Sequence, residues 1–184
     1  GLRPVCFKHH LGSAWVLITS PFWRCKNFIL ALLAASFTLQ AQAASYKIDT
    51  QGAHAFIKFK IKHLGFSWVV GQFNDFDGSF EYDKNNVNQS SVMVNIDTTS
   101  VDTNHALRDE HIKGKDFLNV SEFPAASFTS TSVKIDGDKG VITGKLNLHG
   151  VEKIITLQVA MIGEGNDPWG SYRAGFDGTT SLKL

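Results

Sequence analysis

Hydrophobic and polar residues alternate along residues 55–82, and the rest of the chain is organised around this stretch. Apolar side chains occupy positions 55, 57, 59 and 61, and Lys58, Lys60 and Lys62 stand between them. A period of two predicts a β-strand with one buried face and one face in water.

A second run over residues 76–82 places Phe76, Phe80 and Tyr82 on one face of a strand. Phe73 precedes this run out of step, so we expect a bulge at residues 74–75 that re-aims the strand. The apolar segment between the two runs is interpreted as a loop, which would lie at the mouth of the fold.

The same alternation recurs to the end of the chain. A short opening strand is predicted at residues 46–49. Further strands are predicted over residues 91–97, 126–135, 142–148, 155–161 and 172–184. Turns at residues 137–140 and 149–153 and a loop at residues 163–171 separate the last four. The inside face of residues 126–135 is ambiguous. Seven or eight strands with a row of aromatic residues on one face predict an all-β protein, a single extended antiparallel β-barrel.

Residues 100–116 interrupt the strand pattern. Thr103 or Asn104 could cap a helix of one or two turns that contains Leu107 and Ile112. We expect one short helix in a loop that crosses one end of the barrel.

The first part of the chain has the features of an export signal. Residues 24–43 combine basic residues, an apolar core too short to span a bilayer and a small-residue site that predicts cleavage between Ala43 and Ala44. Residues 1–23 are interpreted as an upstream extension outside the fold, and residues 44–184 as the folded domain. The expected location is the periplasm.

Charge and cysteine content exclude several classes of function. Residues 44–184 hold 14 basic and 17 acidic residues, a net charge of −3, whereas nucleic-acid binding needs a clustered basic surface. Cys6 and Cys25 both precede this segment, so it has neither a disulfide framework nor a thiolate metal site.

The main group of candidate polar residues lies at residues 105–111. His105 and His111 are six residues apart and do not share a helix face, and Arg108 and Asp109 could form a local salt link. No catalytic or phosphate-binding motif is present, so we predict neither an enzyme nor a metal site. The alternative kept open is a periplasmic enzyme or stress-related chaperone with a polar site at His105, Arg108, Asp109 and His111.

Apolar residues are the stronger candidates for a binding site. They could fill a core or line a cavity, and the small residues at 55, 78, 144 and 178 could leave space or allow curvature. The predicted cavity residues are Ile57, Phe59, Ile61, Phe66, Trp68, Phe73, Phe76, Phe80, Phe117, Phe128, Leu146, Leu148, Trp169 and Phe176.

Five collinear motifs resemble the YceI-like family of periplasmic polyisoprenoid-binding proteins. They are HAFIKFKIKHLGFSWVVGQFNDFDGSFEYD, TTSVDTNHALRDEHIKGKDFLN, FPAASFTSTSVK, ITGKLNLHGVEKIITL and DPWGSYRAGF, and the resemblance extends from Tyr46 to the end of the chain. It implies a lipocalin-like barrel whose long apolar cavity binds amphipathic lipids. Because family members continue for roughly two more strands, the chain is expected to be truncated at its C-terminus.

The resemblance favours a ligand cavity over a core filled by side chains. We expect the chain to bind, and to transport or store, a polyisoprenoid- or quinone-type lipid, with His63, His105 and Arg108 as candidates for contact with its head group. No cofactor other than this lipid is expected. The expected partners are the lipid, a transient membrane contact and a second copy of the chain, but not nucleic acid.

Overall fold

Two antiparallel sheets and one helix form the part of the chain that the structure describes, residues 43–183 of a computed structural model. The predicted extension at residues 1–23 and nearly all of the predicted export signal lie outside the described residues. The strands are β1 (Ala44–Lys47), β2 (Ile57–His63), β3 (Ser67–Phe73), β4 (Phe76–Tyr82), β5 (Ser91–Asp97), β6 (Val101–Asp102), β7 (Ala125–Asp136), β8 (Lys139–Leu148), β9 (Val151–Asn166) and β10 (Tyr172–Thr179), and the helix is α1 (Ala106–Lys113).

The larger sheet has seven strands in the order β1-β4-β5-β7-β8-β9-β10. Its register places apolar residues opposite one another from strand to strand, as in the pairs Tyr46–Phe80 and Phe128–Leu146. Residues opposite each other in a ladder share a face, so these pairs define one continuous apolar face. We call it the inner face; it comprises residues 44, 46, 76, 78, 80, 82, 92, 94, 96, 126, 128, 130, 133, 135, 140, 142, 144, 146, 148, 151, 153, 155, 157, 159, 161, 164, 166, 172, 174, 176 and 178.

This sheet curls until its two edges meet through side chains. Phe176 on β10 packs edge-on against Phe80 and Tyr82 on β4, with ring centroids 5.8 and 5.5 Å apart. At the same junction, Nη1 of Arg173 on β10 donates to Oδ2 of Asp49, just beyond β1, at 2.6 Å. The result is a curled half-barrel, so the predicted all-β, lipocalin-like fold is confirmed.

The smaller sheet has the order β2-β3-β6. Residues 63–70 were predicted to form a loop, but β3 begins at Ser67 and pairs with β2 along its whole length. Residues 74–75 were predicted to form a bulge within one strand. Instead they carry the chain from the smaller sheet to the larger one, where the Asp75 backbone N–H donates to Oγ of Ser100 at 2.9 Å.

A β-bulge resolves the ambiguous inside face of β7. The register with β8 shifts between Ser130 and Ser132, so Thr131 is an extra residue and the alternation changes phase there. Phe128 before the bulge and Val133 after it therefore lie on the same face, and both are buried.

Other predictions change only in their boundaries. The described residues contain ten strands rather than seven or eight, because β3 lies where a loop was predicted and β6, with two residues, is too short to show a period. The predicted loop at 163–171 shrinks to residues 167–171, since β9 continues to Asn166. The helix is capped by His105, whose Nδ1 accepts from the Arg108 backbone N–H at 3.2 Å, and not by Thr103 or Asn104.

Candidate functional site

Ten of the fourteen predicted cavity residues lie on an apolar sheet face. Phe76, Phe80, Phe128, Leu146, Leu148 and Phe176 are on the inner face of the larger sheet. Ile57, Phe59, Ile61 and Phe73 share one face of the smaller sheet, where the Phe59 and Phe73 rings are 5.6 Å apart.

The other four predicted cavity residues lie elsewhere in the structure. Trp68 pairs with Lys62 and therefore lies on the lysine-bearing face of the smaller sheet, opposite Phe59. Phe66 is 92% exposed in the turn before β3, and Trp169 is 83% exposed in the loop before β10. Phe117 follows the helix and packs against the His111 ring, with a centroid distance of 5.0 Å.

An aromatic cluster closes one part of the inner face. Tyr46 stacks on Phe80 at 4.8 Å, and Tyr82 and Phe176 pack edge-on around them. The cavity beneath Tyr82, Met161 and Phe176 has a volume of only about 20 Å³, enough for roughly one water molecule. Side chains therefore fill the interior here.

The rest of the inner face is only partly covered. Leu146 and Leu148 on β8 and Ile155 and Leu157 on β9 are half-buried, although they lie in the middle of the sheet's apolar face. Apolar side chains that keep contact with water retain surface that a ligand can bury. On this part of the inner face, apolar surface is accessible to a ligand.

Two of the small inner-face residues are used for packing, not for open space. A Cβ added at Gly144 would lie 2.5 Å from both the Phe128 ring and the Thr129 carbonyl oxygen. A Cβ at Gly78 would lie 2.7 Å from the Ile48 side chain. At these positions glycine lets a neighbouring side chain lie on the backbone, which the sequence pattern could not distinguish from a cavity.

Two charged residues lie in phase with the inner face, Lys153 and Glu164, the second because it pairs with Ala174, two residues before Phe176 on β10. Lys153 pairs with Leu146 in the ladder, two residues before Ile155 on the same strand. Its Nζ lies 3.3 Å from the Lys183 carbonyl oxygen and is exposed. The alternation that begins at Ile155 predicts that Lys153 lies on this face, because Lys153 is two residues earlier on the strand.

Arg108 and Asp109 converge on a single buried threonine. Thr103 is 4% exposed, and its backbone N–H and hydroxyl both donate to Oδ1 of Asp109, at 2.8 and 2.5 Å. Nε and Nη2 of Arg108 donate to the Thr103 hydroxyl and carbonyl oxygens at 2.7 and 2.6 Å. The Thr103 hydrogen bonds hold the pKa of Asp109 below its usual value. This arrangement fixes the helix to the end of β6.

The remaining members of the predicted polar group do not join this cluster. His105 caps the helix and His111 packs on Phe117. Within residues 43–183, no group of three or more His, Cys, Asp or Glu side chains is placed to hold a metal ion. Among the same residues, no helix has the length and apolar character needed to cross a membrane.

An ion-pair network that sequence reasoning missed joins the two edges of the larger sheet. Arg173 donates to Oδ2 of Asp167 and Oδ2 of Asp49, each at 2.6 Å. Asp167 also accepts backbone N–H bonds from Trp169 and Ser171 at 2.9 and 2.8 Å. Asp49 and Arg173 are 124 residues apart, so no local pattern could reveal their pairing.

These contacts predict a loss of stability in acid. The Arg173 guanidinium and the Ser171 N–H hold the pKa of Asp167 below 3.8, and the Gly52 N–H and Arg173 do the same for the pKa of Asp49. A lowered folded-state pKa stabilises the fold above the unfolded value, and that contribution disappears as the pH falls through the folded-state pKa. We expect urea midpoints to fall steeply below about pH 4, and to fall less in Asp167→Asn.

The matched control is Asp177→Asn, which removes an exposed carboxylate from β10, the strand that carries Arg173. It should keep the steep acid loss of the wild-type chain. Equal acid profiles for the two variants would contradict the assignment. Asp109 contributes in the same direction in every variant, so the comparison isolates the network.

Comparison with known proteins identifies the family. A UPF0312 protein of Pseudomonas aeruginosa is 59% identical over 156 residues, covering 84% of this chain and 82% of the relative. A UPF0312 protein of Yersinia pestis is 56% identical over the same length, covering 84% and 81%.

Two crystal structures share the fold. A YCEI protein of Campylobacter jejuni is 34% identical, with a TM-score of 0.56 over 71% of this chain and 76% of that one. BcnA of Burkholderia cenocepacia is 25% identical, with a TM-score of 0.55 over 59% and 67%. Residues 46–184 match the model of the YceI-like domain, and the chain therefore belongs to the YceI-like family.

Proposed function

We propose that this protein binds a long-chain amphipathic lipid of the polyisoprenoid or quinone type without a covalent bond, and carries or stores it. The observation that supports the proposal is the continuous apolar inner face, half-covered from Leu146 to Leu157 and closed by aromatic rings near Tyr82. The ligand class is the one that membership of the YceI-like family implies.

The energetics favour an elongated apolar ligand. Burial contributes about 25 cal/mol for each Å² of apolar surface removed from water. A polyprenyl chain laid along the half-buried residues of β8 and β9 would bury both its own surface and theirs. The ordering of a flexible chain opposes this gain, so an apolar face that is already ordered favours binding.

The head group would lie at the end of the face that bears Lys153. This ammonium is the cationic group in phase with the apolar residues of β9, and it is exposed. His63 lies on the same face of the smaller sheet as Phe59 and is a second candidate. Arg108 is a weaker candidate because two of its nitrogens are bound to Thr103, and His105 is engaged as the helix cap.

A binding protein fits the polar residues better than an enzyme does. The four residues of the predicted polar site are divided between a helix cap, the Thr103 contacts and the packing of His111 on Phe117. Export to the periplasm is part of the proposal. Its basis is the signal-like pattern of residues 24–43.

The direct test expresses the full chain, recovers the protein from the periplasm, and applies native mass spectrometry followed by organic extraction. We expect a hydrophobic adduct at one molecule per chain and a mature N-terminus at Ala44. A clean apo mass that does not shift after incubation with polyprenol or ubiquinone would contradict the binding proposal.

A further inference from the structure

The β2–β3 hairpin exposes large apolar side chains at its end. Leu64 and Phe66, in the turn, are 76% and 92% exposed, and Trp68, at the start of β3, is 58% exposed. None of these three side chains belongs to the apolar face that contains Phe59. We call them the hairpin tip.

A row of lysines lies beside the hairpin tip. Lys58, Lys60 and Lys62 share one face of β2, and the register places Lys62 opposite Trp68. Nζ of Lys60 lies 4.9 Å from the centre of the Trp68 ring, a cation–π distance. Within residues 43–183, none of these lysines forms a salt bridge, and residues 51–74 contain no aspartate or glutamate.

The backbone at the tip adds a second observation. Leu64 has a φ of 51°, in the left-handed region that favours glycine and asparagine. A bulky residue in that conformation carries strain, and Leu64 recovers no packing energy because its side chain is exposed. A leucine at this position is explained if its side chain becomes buried against something else.

We propose that the hairpin docks on an anionic membrane surface. Leu64 and Phe66 would enter the interface, and Trp68 would lie at the level of the head groups, where tryptophan is enriched. The three lysines would face the lipid phosphates, since each basic residue near an anionic surface contributes about 1 kcal/mol.

Charge decides between a membrane and a second copy of the chain. Residues 44–184 carry 14 basic and 17 acidic residues, so the basic hairpin is an exception on an acidic protein. An anionic surface would attract this hairpin and repel most of the remainder, which orients the molecule. Two such hairpins brought together tip to tip would repel each other. The docking does not depend on whether the inner face holds a lipid.

Vesicle flotation with the full chain tests the proposal. We expect binding to vesicles of phosphatidylcholine and phosphatidylglycerol, and much weaker binding to phosphatidylcholine alone. The triple variant Lys58→Gln, Lys60→Gln, Lys62→Gln should bind the anionic vesicles about a hundredfold more weakly, since each lysine contributes roughly fivefold.

The matched control removes three exposed lysines from the larger sheet and its turns, and it should keep wild-type binding to within about twofold, because these lysines are not part of the β2–β3 hairpin. It is the variant Lys84→Gln, Lys134→Gln, Lys139→Gln.

The apolar contribution is tested by a second matched pair. Phe66→Ser should weaken vesicle binding about tenfold or more, because a phenylalanine side chain would no longer be buried. Trp169→Ser removes another exposed aromatic residue, in the loop before β10, and should have little effect.

Three results would overturn the proposal. The first is an equal loss of vesicle binding in the two triple lysine variants, and the second is equal binding of the wild-type chain to neutral and anionic vesicles. The third is a Phe66→Ser variant that changes self-association in sedimentation but not vesicle binding. The third would assign the tip to a second copy of the chain. An Ile155→Asp variant, altered on the inner face, should keep vesicle binding, so failure of the lipid-binding proposal remains distinguishable.

Discussion

The Ile155→Asp variant is expected to lose its bound lipid, and the Ile154→Asp variant is expected to keep it. The two residues are neighbours on β9 but point to opposite faces of the sheet. Ile155 pairs with Gly144 on the inner face, whereas Ile154 is 61% exposed on the other face. The same chemical change is therefore made on both sides of one strand.

The expected loss of lipid affinity is large because the bound lipid would exclude water from residue 155. Ile155 is half-buried in the free protein, so an aspartate there keeps contact with water and the fold should survive. A lipid tail laid over the strand would strip that water from the carboxylate without supplying a hydrogen bond. Desolvation of an unpaired charged group costs several kcal/mol, so binding should fall at least a hundredfold.

Lipid titration measured by native mass spectrometry, together with circular dichroism, separates binding from folding. If the folded Ile155→Asp variant still bound lipid, the inner face would not be the binding site. Parallel loss in both variants would point to a general effect of added charge.

The Phe128→Ala variant is expected to lose about 3–5 kcal/mol of unfolding free energy. Phe128 is 6% exposed and its ring lies directly on the Gly144 backbone, so truncation leaves a cavity that the sheet cannot easily close. A loss of this size is a large part of the total stability of an ordinary domain.

The control for this prediction is Phe56→Ala, at a residue that is 61% exposed. Its loss should stay within about 0.5 kcal/mol, as is usual at the surface. Urea unfolding measures both. If the two variants were equally stable, Phe128 would not belong to the packed part of the inner face.

Lipid binding and membrane docking would use two different surfaces of the protein, one after the other. The inner face would hold the apolar tail, and the β2–β3 hairpin would bring the protein to the bilayer from which such a lipid comes. The two surfaces use different residues, Ile155 and Leu157 in one case and Phe66 and Lys60 in the other. Variants can therefore separate them.

The amino-acid sequence by itself determined the strands and most of their faces. Consecutive residues of a strand point to opposite sides of the sheet, so a half-buried strand shows a period of two in the hydrophobicity of its side chains. This period correctly assigned Phe59 and Lys60 to opposite faces of β2, and Leu146, Leu148 and Phe176 to the apolar face that became the inner face. The helix was located too, because the alternation stops there.

Only the tertiary structure decided how those strands combine. Trp68 is apolar but lies among the lysines, since its face is set by pairing with Lys62 and not by its own hydrophobicity. The inside face of β7 depends on one extra residue at Thr131, which local sequence does not mark.

The contacts that close the larger sheet join residues far apart in the chain. The Asp49–Arg173 ion pair spans 124 residues, and Phe176 meets Phe80 across the two ends of the strand order. Strand periodicity is a local property of the backbone. The meeting of sheet edges depends on twist and register accumulated over seven strands, which no single segment encodes.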